Sequence, residues 1–197
     1  NEFRRRNFTD YYSVCENYDY VPFDASQEDI VYYMKKYEEL FYTICNNDTQ
    51  IAEYMKCVFG YFLTGETSLN FFLIMHGMDA GNGKSLLLNF FKKAFPTYFK
   101  VISFEAISDN TTQKHYKYFD DHIAPSRCLI IEEMSDKGRI ASDKIKAQNE
   151  GTYKGDKVFT GAIEMRIQVK YVFCSNHKAL PKPKDEGEAR REVIVPF

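Results

Sequence analysis

The feature that most constrains the fold is an apolar run that is joined to an amphipathic segment by a glycine-rich loop, between residues 71 and 95. "FFLIMH" is continuously apolar and predicts a strand that is buried on both faces. "GMDAGNGKS" follows directly, and "SLLLNFFKKAF" then predicts a helix that Pro96 ends. A strand, a tight loop and a helix in immediate succession indicate the first unit of a layered α/β fold.

The loop has the features that a phosphate-binding loop needs. Gly81 and Gly83 let backbone N–H groups approach a ligand, Lys84 supplies a cation, and Ser85 supplies a hydroxyl at the start of the helix. The helix dipole favours negative charge at the same point. We therefore predict a nucleotide site, whereas the alternative is a plain glycine turn between a strand and a helix.

The loop is one residue longer than the pattern G-x-x-x-x-G-K-S. Counting back from Lys84, the first glycine of that pattern would fall at Met78, but the glycine stands at position 77. The predicted nucleotide-contacting residues are Gly77, Gly81, Asn82, Gly83, Lys84, Ser85 and Leu86.

Acidic residues follow a second apolar strand pattern, "RCLIIEEM". Glu132 and Glu133 end this run, and we predict that Glu132 holds Mg²⁺ together with Ser85 while Glu133 orients the attacking water. The alternative is an ordinary acidic strand exit. Because a nucleotide site needs both a metal ligand and a group that activates water, the pair is assigned to the same site as the glycine loop.

Two further groups complete the predicted site. "YVFCSNHKALP" begins with an apolar run that Asn176 closes, and the amide of Asn176 is suited to contact the γ-phosphate or the attacking water. The alternative is that Asn176 is an ordinary turn residue at the end of a strand. "GEARREVIVPF" places Arg190 and Arg191 just before a last strand. Arginine suits transition-state charge because its planar fork spans two phosphate oxygens, and the alternative is a surface pair.

Charge and composition exclude several classes of protein. The formal net charge is -2, so the whole molecule does not attract nucleic acid, but residues 137–191 hold thirteen basic and seven acidic side chains. The five cysteines are widely spaced and predict no metal site. No apolar run is long enough to cross a bilayer, so we expect a soluble intracellular protein with no membrane partner.

The organisation along the chain predicts two parts. "SQEDIVYYMKKYEELFYTIC" and "TQIAEYMKCVFGYFLTGE" show helical spacing, with Ser26 as the expected N-cap of the first helix and Gly65 as the stop of the second. Residues 1–68 are therefore predicted to be a small helical annex. Strands that alternate with helices over residues 69–197 predict an α/β core with a mainly parallel sheet.

From about residue 50 to residue 197 these motifs, in this order, resemble superfamily 3 helicases, and in particular the primase-helicases of large DNA viruses, phages and plasmids. The resemblance implies an AAA+ P-loop core, ATP and Mg²⁺ as cofactors, and ATP-driven unwinding of duplex DNA by a homo-hexameric ring that translocates on single-stranded or forked DNA. It also implies an upstream primase domain and action in the host cytoplasm or at a site of viral replication. Because the helices that usually follow "VIVPF" are absent, we expect a C-terminally truncated piece.

The resemblance also implies residue roles. Lys84 and Ser85 hold phosphate and Mg²⁺, Glu132 and Glu133 are the Walker B carboxylates, Asn176 is the sensor, and Arg190 or Arg191 is the arginine finger, with Arg191 preferred. "IKAQNEGTYKGDK" matches the segment that leads to a DNA-binding hairpin, where Lys154 and Lys157 would meet phosphates, with the hairpin tip at "FTGAIEM".

Three alternatives remain open at the level of the sequence. The chain could be an ATP-switched binding or assembly protein that never unwinds, or a helicase of the same superfamily that acts on RNA. A small-molecule kinase also uses a P-loop on a parallel sheet, but its phosphate-clamping lid would need an arginine-rich insertion that the sequence lacks.

Overall fold

The structure of the chain is a computed structural model that describes residues 15–19, 21–77, 81–108, 126–133, 140, 145–146, 152–157, 161–176 and 186–197. The helices are α1 (Glu28–Ile44), α2 (Thr49–Leu63), α3 (Lys84–Ala94) and α4 (Glu186–Arg191). The strands are β1 (Phe72–His76), β2 (Phe99–Val101), β3 (Cys128–Ile131), β4 (Thr152–Lys157), β5 (Gly161–Arg166), β6 (Lys170–Ser175) and β7 (Glu192–Pro196). A 3-10 helix spans Phe104–Ile107.

Five strands form one sheet in the order β2-β3-β6-β1-β7, and every neighbouring pair is parallel. The prediction of an α/β fold with a mainly parallel P-loop-like core is therefore confirmed. β6 lies between β1 and β3, so the strand that precedes the glycine loop and the strand that precedes the acidic pair are second neighbours. Because the strands are parallel, the loops that follow them meet at one edge of the sheet.

Both faces of the sheet are covered, as the unbroken apolar runs predict. On one face, Leu73, Val172 and Ile130 join a core cluster that includes buried residues of α1, α2 and α3. On the other face, Ile74 and Phe173 pack with residues of the 3-10 helix. The predicted annex helices thus share a core with the sheet. The division of the chain into a domain of residues 1–68 and a core domain stays a prediction.

The start of α1 differs from the prediction. Gln27, not Ser26, is the N-cap, and its side chain makes no cap hydrogen bond. Ser26 instead donates from its hydroxyl and its backbone N–H to Asp24 Oδ1, at 2.7 and 2.9 Å, so its side chain closes a turn before the helix. α2 has a true cap, because Asp48 Oδ1 accepts from the backbone N–H groups of Gln50 and Ile51. α2 ends at Leu63, close to the predicted stop at Gly65.

Two strand predictions need correction. The run "FKVISF" forms only the three-residue strand β2 before Phe104 enters the 3-10 helix, since β2 is an edge strand that pairs with β3 alone. β4 and β5 form a separate antiparallel pair in which Lys157 is in register with Gly161. Most of the predicted hairpin tip "FTGAIEM" is therefore strand, and the connection, residues 158–160, lies outside the described residues.

No helix within the described residues is long and apolar enough to span a membrane. Cys45, Cys128 and Cys174 are buried free thiols, whereas Cys15 and Cys57 are exposed. The described His, Cys, Asp and Glu side chains do not form a group of three or more that could hold a metal ion.

A candidate phosphate-binding site at one edge of the sheet

Glycine conformation shapes the loop that follows β1. Gly81 and Gly83 have φ of 86° and 85°, in the left-handed region that side chains other than glycine rarely adopt. Gly83 is also the N-cap of α3, so the chain turns directly from the loop into the helix. Ser85 and Leu86, which were predicted to contact nucleotide, lie in the exposed first turn of α3. The first turn of a helix presents free backbone N–H groups, which suits an anion.

Lys84 is the buried cation of this loop. Only 4% of the residue is exposed. Its Nζ donates to the backbone oxygen of Gly77 at 3.2 Å and to Oδ1 of Asn82 at 2.9 Å. Burial lowers the pKa of the Lys84 ammonium below its usual value, and the neighbouring Cys174 thiol acts in the opposite direction. Both hydrogen-bond partners are neutral oxygens, so the positive charge is desolvated without a counter-charge from either of them.

Gly77 is required by space rather than by backbone angle. A Cβ at this position would lie 2.0 Å from Asn82 Nδ2, 2.7 Å from the backbone oxygen of Phe197 and 2.9 Å from Lys84 Nζ. The loop is one residue longer than the pattern G-x-x-x-x-G-K-S, but Gly77 still lies beside Asn82 and Lys84. Gly77, Asn82 and Lys84 are thus in contact with one another, and their binding of a nucleotide stays a prediction.

The acidic pair lies at the same edge of the sheet, after β3. Glu132 Oε1 forms an ion pair of 2.9 Å with Nζ of Lys92 on α3. Glu132 is therefore on the α3 side of the sheet, and Glu133 is the next residue after it. Both carboxylates are exposed and line a cavity of about 460 Å³ together with residues 101–105.

Cys174 and Asn176 lie at the end of the strand between β1 and β3. Asn176 is exposed and directly follows β6, the strand between β1 and β3. Burial raises the pKa of the Cys174 thiol to about 11, with Lys84 acting against this shift and Glu132 adding to it. A thiol with this pKa stays protonated near neutral pH, so Cys174 adds no charge between the lysine and the glutamate.

Two predicted residues, both arginines, are not brought to this edge. Arg190 and Arg191 end α4, immediately before β7, and Glu192 at the start of β7 is in register with Phe72 at the start of β1. Both arginines therefore lie at the side of the sheet where the strands begin, whereas the glycine loop lies at the side where the strands end. Lys154 and Lys157 belong to β4, in the separate two-stranded sheet.

Three contacts of the site were missed by reasoning from the sequence. Lys92 pairs with Glu132, Cys174 lies next to Lys84, and Asn82 Nδ2 donates to the Phe197 backbone oxygen at 3.4 Å. Lys92 is eight residues, or a little over two helical turns, after Lys84, so helical spacing combined with the order of strands could have found it. The sequence gives no signal for the contact between Asn82 and Phe197.

One family model matches residues 75–191, and it describes a family of unknown function, DUF5906. The chain belongs to the DUF5906 family. The DUF5906 match includes the glycine loop, the acidic pair, Asn176 and both arginines, so every predicted site residue lies within it. No curated protein matches the chain.

Solved structures of the NrS-1 C-terminal region have a similar fold. One apo structure of this region is 15% identical to the DUF5906 chain, with a TM-score of 0.61, and the match covers 81% of this chain and 36% of that one. A second, of residues 305–718, gives 14% identity and a TM-score of 0.57, again over 81% and 36%. A third gives 15% and 0.58, over 81% of this chain and 37% of that one. At this identity the likeness concerns the fold, and the chain spans little more than a third of these structures.

Proposed function

We propose that this chain is the ATPase part of a nucleic-acid motor that hydrolyses ATP to translocate on single-stranded DNA and unwind duplex during replication. The observation that carries the proposal is the buried ammonium of Lys84 at the start of a helix, whose hydrogen-bond partners among the described residues are neutral oxygens. A buried ammonium that is held by neutral oxygens favours an anionic ligand, since the ligand restores the charge balance that burial removed.

The chain's own groups would hold the triphosphate in three ways. Backbone N–H groups of the first turn of α3 would donate to phosphate oxygens, with Gly81 and Gly83 allowing the close approach. Lys84 would exchange its neutral partners for a phosphate oxygen. The Ser85 hydroxyl is exposed at the same turn and would complete the oxygen ligands of Mg²⁺.

The acidic pair fits a metal and a water, because carboxylate and hydroxyl oxygens are the ligands that Mg²⁺ prefers. Bound Mg²⁺ would neutralise charge on the phosphates. Glu132, on the α3 side, would be its ligand, and Lys92 would hold that carboxylate in place. Glu133 would orient water and accept its proton, and Asn176 would contact the γ-phosphate or the same water.

The remaining parts of the proposal come from the resemblance to superfamily 3 helicases. We propose a homo-hexamer in the full-length protein, a track of single-stranded DNA that Lys154 and Lys157 of the β4–β5 hairpin contact through phosphates, and an upstream primase domain. Action inside the cell at a site of replication belongs to the same proposal.

The nucleotide site is tested by Lys84→Ala. We expect the rate of ATP hydrolysis to fall by about 10²- to 10³-fold, since a preorganised cation is lost from the phosphate site. Lys93→Ala is the matched control, because Lys93 lies on the same helix but is exposed. Steady-state phosphate release is measured for both variants, and folding is checked by thermal unfolding. Unchanged hydrolysis by folded Lys84→Ala protein would refute the nucleotide site.

The effect of nucleic acid on the ATPase rate distinguishes a motor from an ATP-switched binding protein. We expect single-stranded DNA to raise the ATPase rate of the assembled protein, and the same measurement with RNA of equal length distinguishes the two tracks. Slow hydrolysis that neither nucleic acid accelerates would favour the switched binding protein.

A further inference from the structure

We infer that Asn82 is a positioning residue that holds Lys84 in a resting position and connects the glycine loop to the end of β7. The inference rests on the proposed function, because it describes how the same site responds to a bound triphosphate. Asn82 lies between the two left-handed glycines of the loop, and its own φ is not positive. A change of its side chain therefore leaves the backbone of the loop unstrained.

The side-chain amide of Asn82 joins two parts of the chain that are far apart in sequence. Its Oδ1 accepts from Lys84 Nζ at 2.9 Å, and its Nδ2 donates to the backbone oxygen of Phe197, 115 residues away, at 3.4 Å. An ammonium only donates and a backbone oxygen only accepts, so the group between them must do both. A carboxylate would hold the lysine but could not donate to Phe197, and a methyl group would do neither.

The end of β7 is fastened to the same place by its backbone. The N–H of Phe197 donates to the His76 oxygen at 2.7 Å, one residue before Gly77. A Cβ on Gly77 would lie within 3 Å of Asn82 Nδ2, Phe197 O and Lys84 Nζ, so these groups are packed around the glycine. A turn of the Asn82 amide therefore changes the surroundings of Phe197.

A phosphate would compete directly with Asn82 for the lysine. A hydrogen bond from an ammonium to a phosphate joins two opposite charges, whereas the bond to Asn82 joins a charge to a neutral amide, so the phosphate is the stronger partner. Once Lys84 turns to the phosphate, Asn82 Oδ1 loses its donor and the amide is free to rotate away from Phe197. Occupancy of the site is thereby transmitted to the end of β7, the strand that directly follows α4.

The test uses the full 197-residue chain, a non-hydrolysable ATP analogue with Mg²⁺, and the variants Asn82→Ala and Asn82→Asp. We expect Asn82→Ala to bind the analogue up to about fivefold more tightly than the wild type, because one competing hydrogen bond to Lys84 is gone. Asn82→Asp should bind about tenfold more weakly, since its carboxylate holds the ammonium and repels phosphate. Asn89→Ala, an exposed change on α3, is the control.

The second readout is the amide resonance of Phe197. In the wild type and in Asn89→Ala we expect it to shift and to exchange faster with solvent when the analogue binds, whereas in both Asn82 variants it should be insensitive. A wild type that does not bind the analogue would refute the proposed function and this inference with it. A wild type that binds while Phe197 does not respond, or Asn82 variants that weaken binding equally, would overturn the inference and leave the nucleotide site standing.

Discussion

Gly77 shows how far the candidate site depends on the absence of a single methyl group. The nearest atoms around its missing Cβ belong to a side-chain amide, a backbone oxygen and the buried ammonium, at 2.0, 2.7 and 2.9 Å. The two side chains can rotate, whereas the Phe197 oxygen belongs to the backbone of a residue whose N–H is hydrogen-bonded to His76. We predict that Gly77→Ala weakens binding of an ATP analogue by about tenfold or more, a cost of roughly 1.4 kcal/mol.

The control for this change is another glycine in the same chain. Gly60 is inside α2 with nothing within 4 Å of its missing Cβ, so Gly60→Ala should stabilise the protein by about 0.5–1 kcal/mol through helix propensity. Titration calorimetry and thermal unfolding of both variants check the pair. Equal affinity of the Gly77 and Gly60 variants would contradict the packing that places Gly77 at the site.

Lys170 connects two elements, since it starts β6 and its ammonium reaches the C-terminal end of α2. Nζ donates to the backbone oxygen of Thr64, the C-cap of α2, and lies 5.2 Å from the centroid of the Tyr61 ring. Only 2% of the residue is exposed. Burial lowers the pKa of the Lys170 ammonium to about 8, with Arg127 acting in the same direction and Cys128 and Glu66 against it.

This shift predicts a pH dependence of folding whose sign is fixed. Between pH 8 and pH 10.5 the unfolded chain still binds the proton that folded Lys170 has lost, so the free energy of unfolding gains from this residue as the pH rises. Below pH 8 both states are protonated and the folded state carries the full cost of a buried ammonium. The whole gain is about 3 kcal/mol, since one pKa unit corresponds to about 1.4 kcal/mol.

The measurement is urea unfolding of the wild type and of Lys170→Met at pH 7 and pH 10. Other groups also make the unfolding free energy depend on pH in both proteins, so only the difference between the two proteins reports on Lys170. That difference should change by most of the predicted 3 kcal/mol. Lys93→Met, an exposed change on α3, should leave the pH dependence as it is in the wild type. A Lys170→Met protein with the same pH dependence as the wild type would contradict the prediction.

The elements that could be predicted from the sequence are those whose cause is local. The apolar run "FFLIMH" predicts a buried strand, and four of the five residues of β1 are in fact buried. The glycine-lysine-serine at the start of a helix predicts the loop. The true start of α1 was missed because Ser26 hydrogen-bonds back to Asp24 instead of forward into the helix.

Contacts between distant parts of the chain were beyond sequence reasoning for a different physical reason. Glu16 accepts from the N–H groups of Thr97 and Tyr98, and Asn82 donates to Phe197, across 81 to 115 residues. Neither contact follows from a periodicity, because each depends on where separate loops come to rest after the sheet is built. The cluster of Lys84, Cys174 and Glu132 is intermediate, since it follows once the order of the strands is known.

Two parts of the predicted ATPase site, the glycine loop and Arg190, lie at opposite ends of the strands of the sheet. The glycine loop follows the last residue of β1, whereas Arg190 precedes β7, which starts in register with the first residue of β1. A five-residue strand spans roughly 13 to 16 Å. An arginine at that edge cannot reach phosphates at the glycine loop of its own chain, so a role as arginine finger requires the site of a neighbouring subunit.

The two arginines differ in their exposure, which affects whether they can reach a neighbouring subunit. Arg191 Nη1 donates to the Gly187 oxygen at 2.7 Å and the residue is half-buried, whereas Arg190 is exposed. Although the sequence favoured Arg191, the geometry makes Arg190 the better candidate for reaching a neighbour. We predict that Arg190→Ala lowers ATP hydrolysis by the assembled protein on the order of 10³-fold, and that Arg191→Ala mainly lowers thermal stability.

Mixing inactive subunits tests this arrangement. In an assembly of Arg190→Ala and Lys84→Ala chains, some interfaces combine an intact lysine from one subunit with an intact Arg190 from the next, and those interfaces should regain activity. Hydrolysis is measured across mixing ratios after co-assembly is verified by light scattering and by pull-down of differently tagged chains. Because each variant alone has only one half of the site, any activity above the sum of the two requires that the halves come from different subunits. Co-assembled mixtures that stay as inactive as their components would exclude a contribution of Arg190 to a neighbour's site.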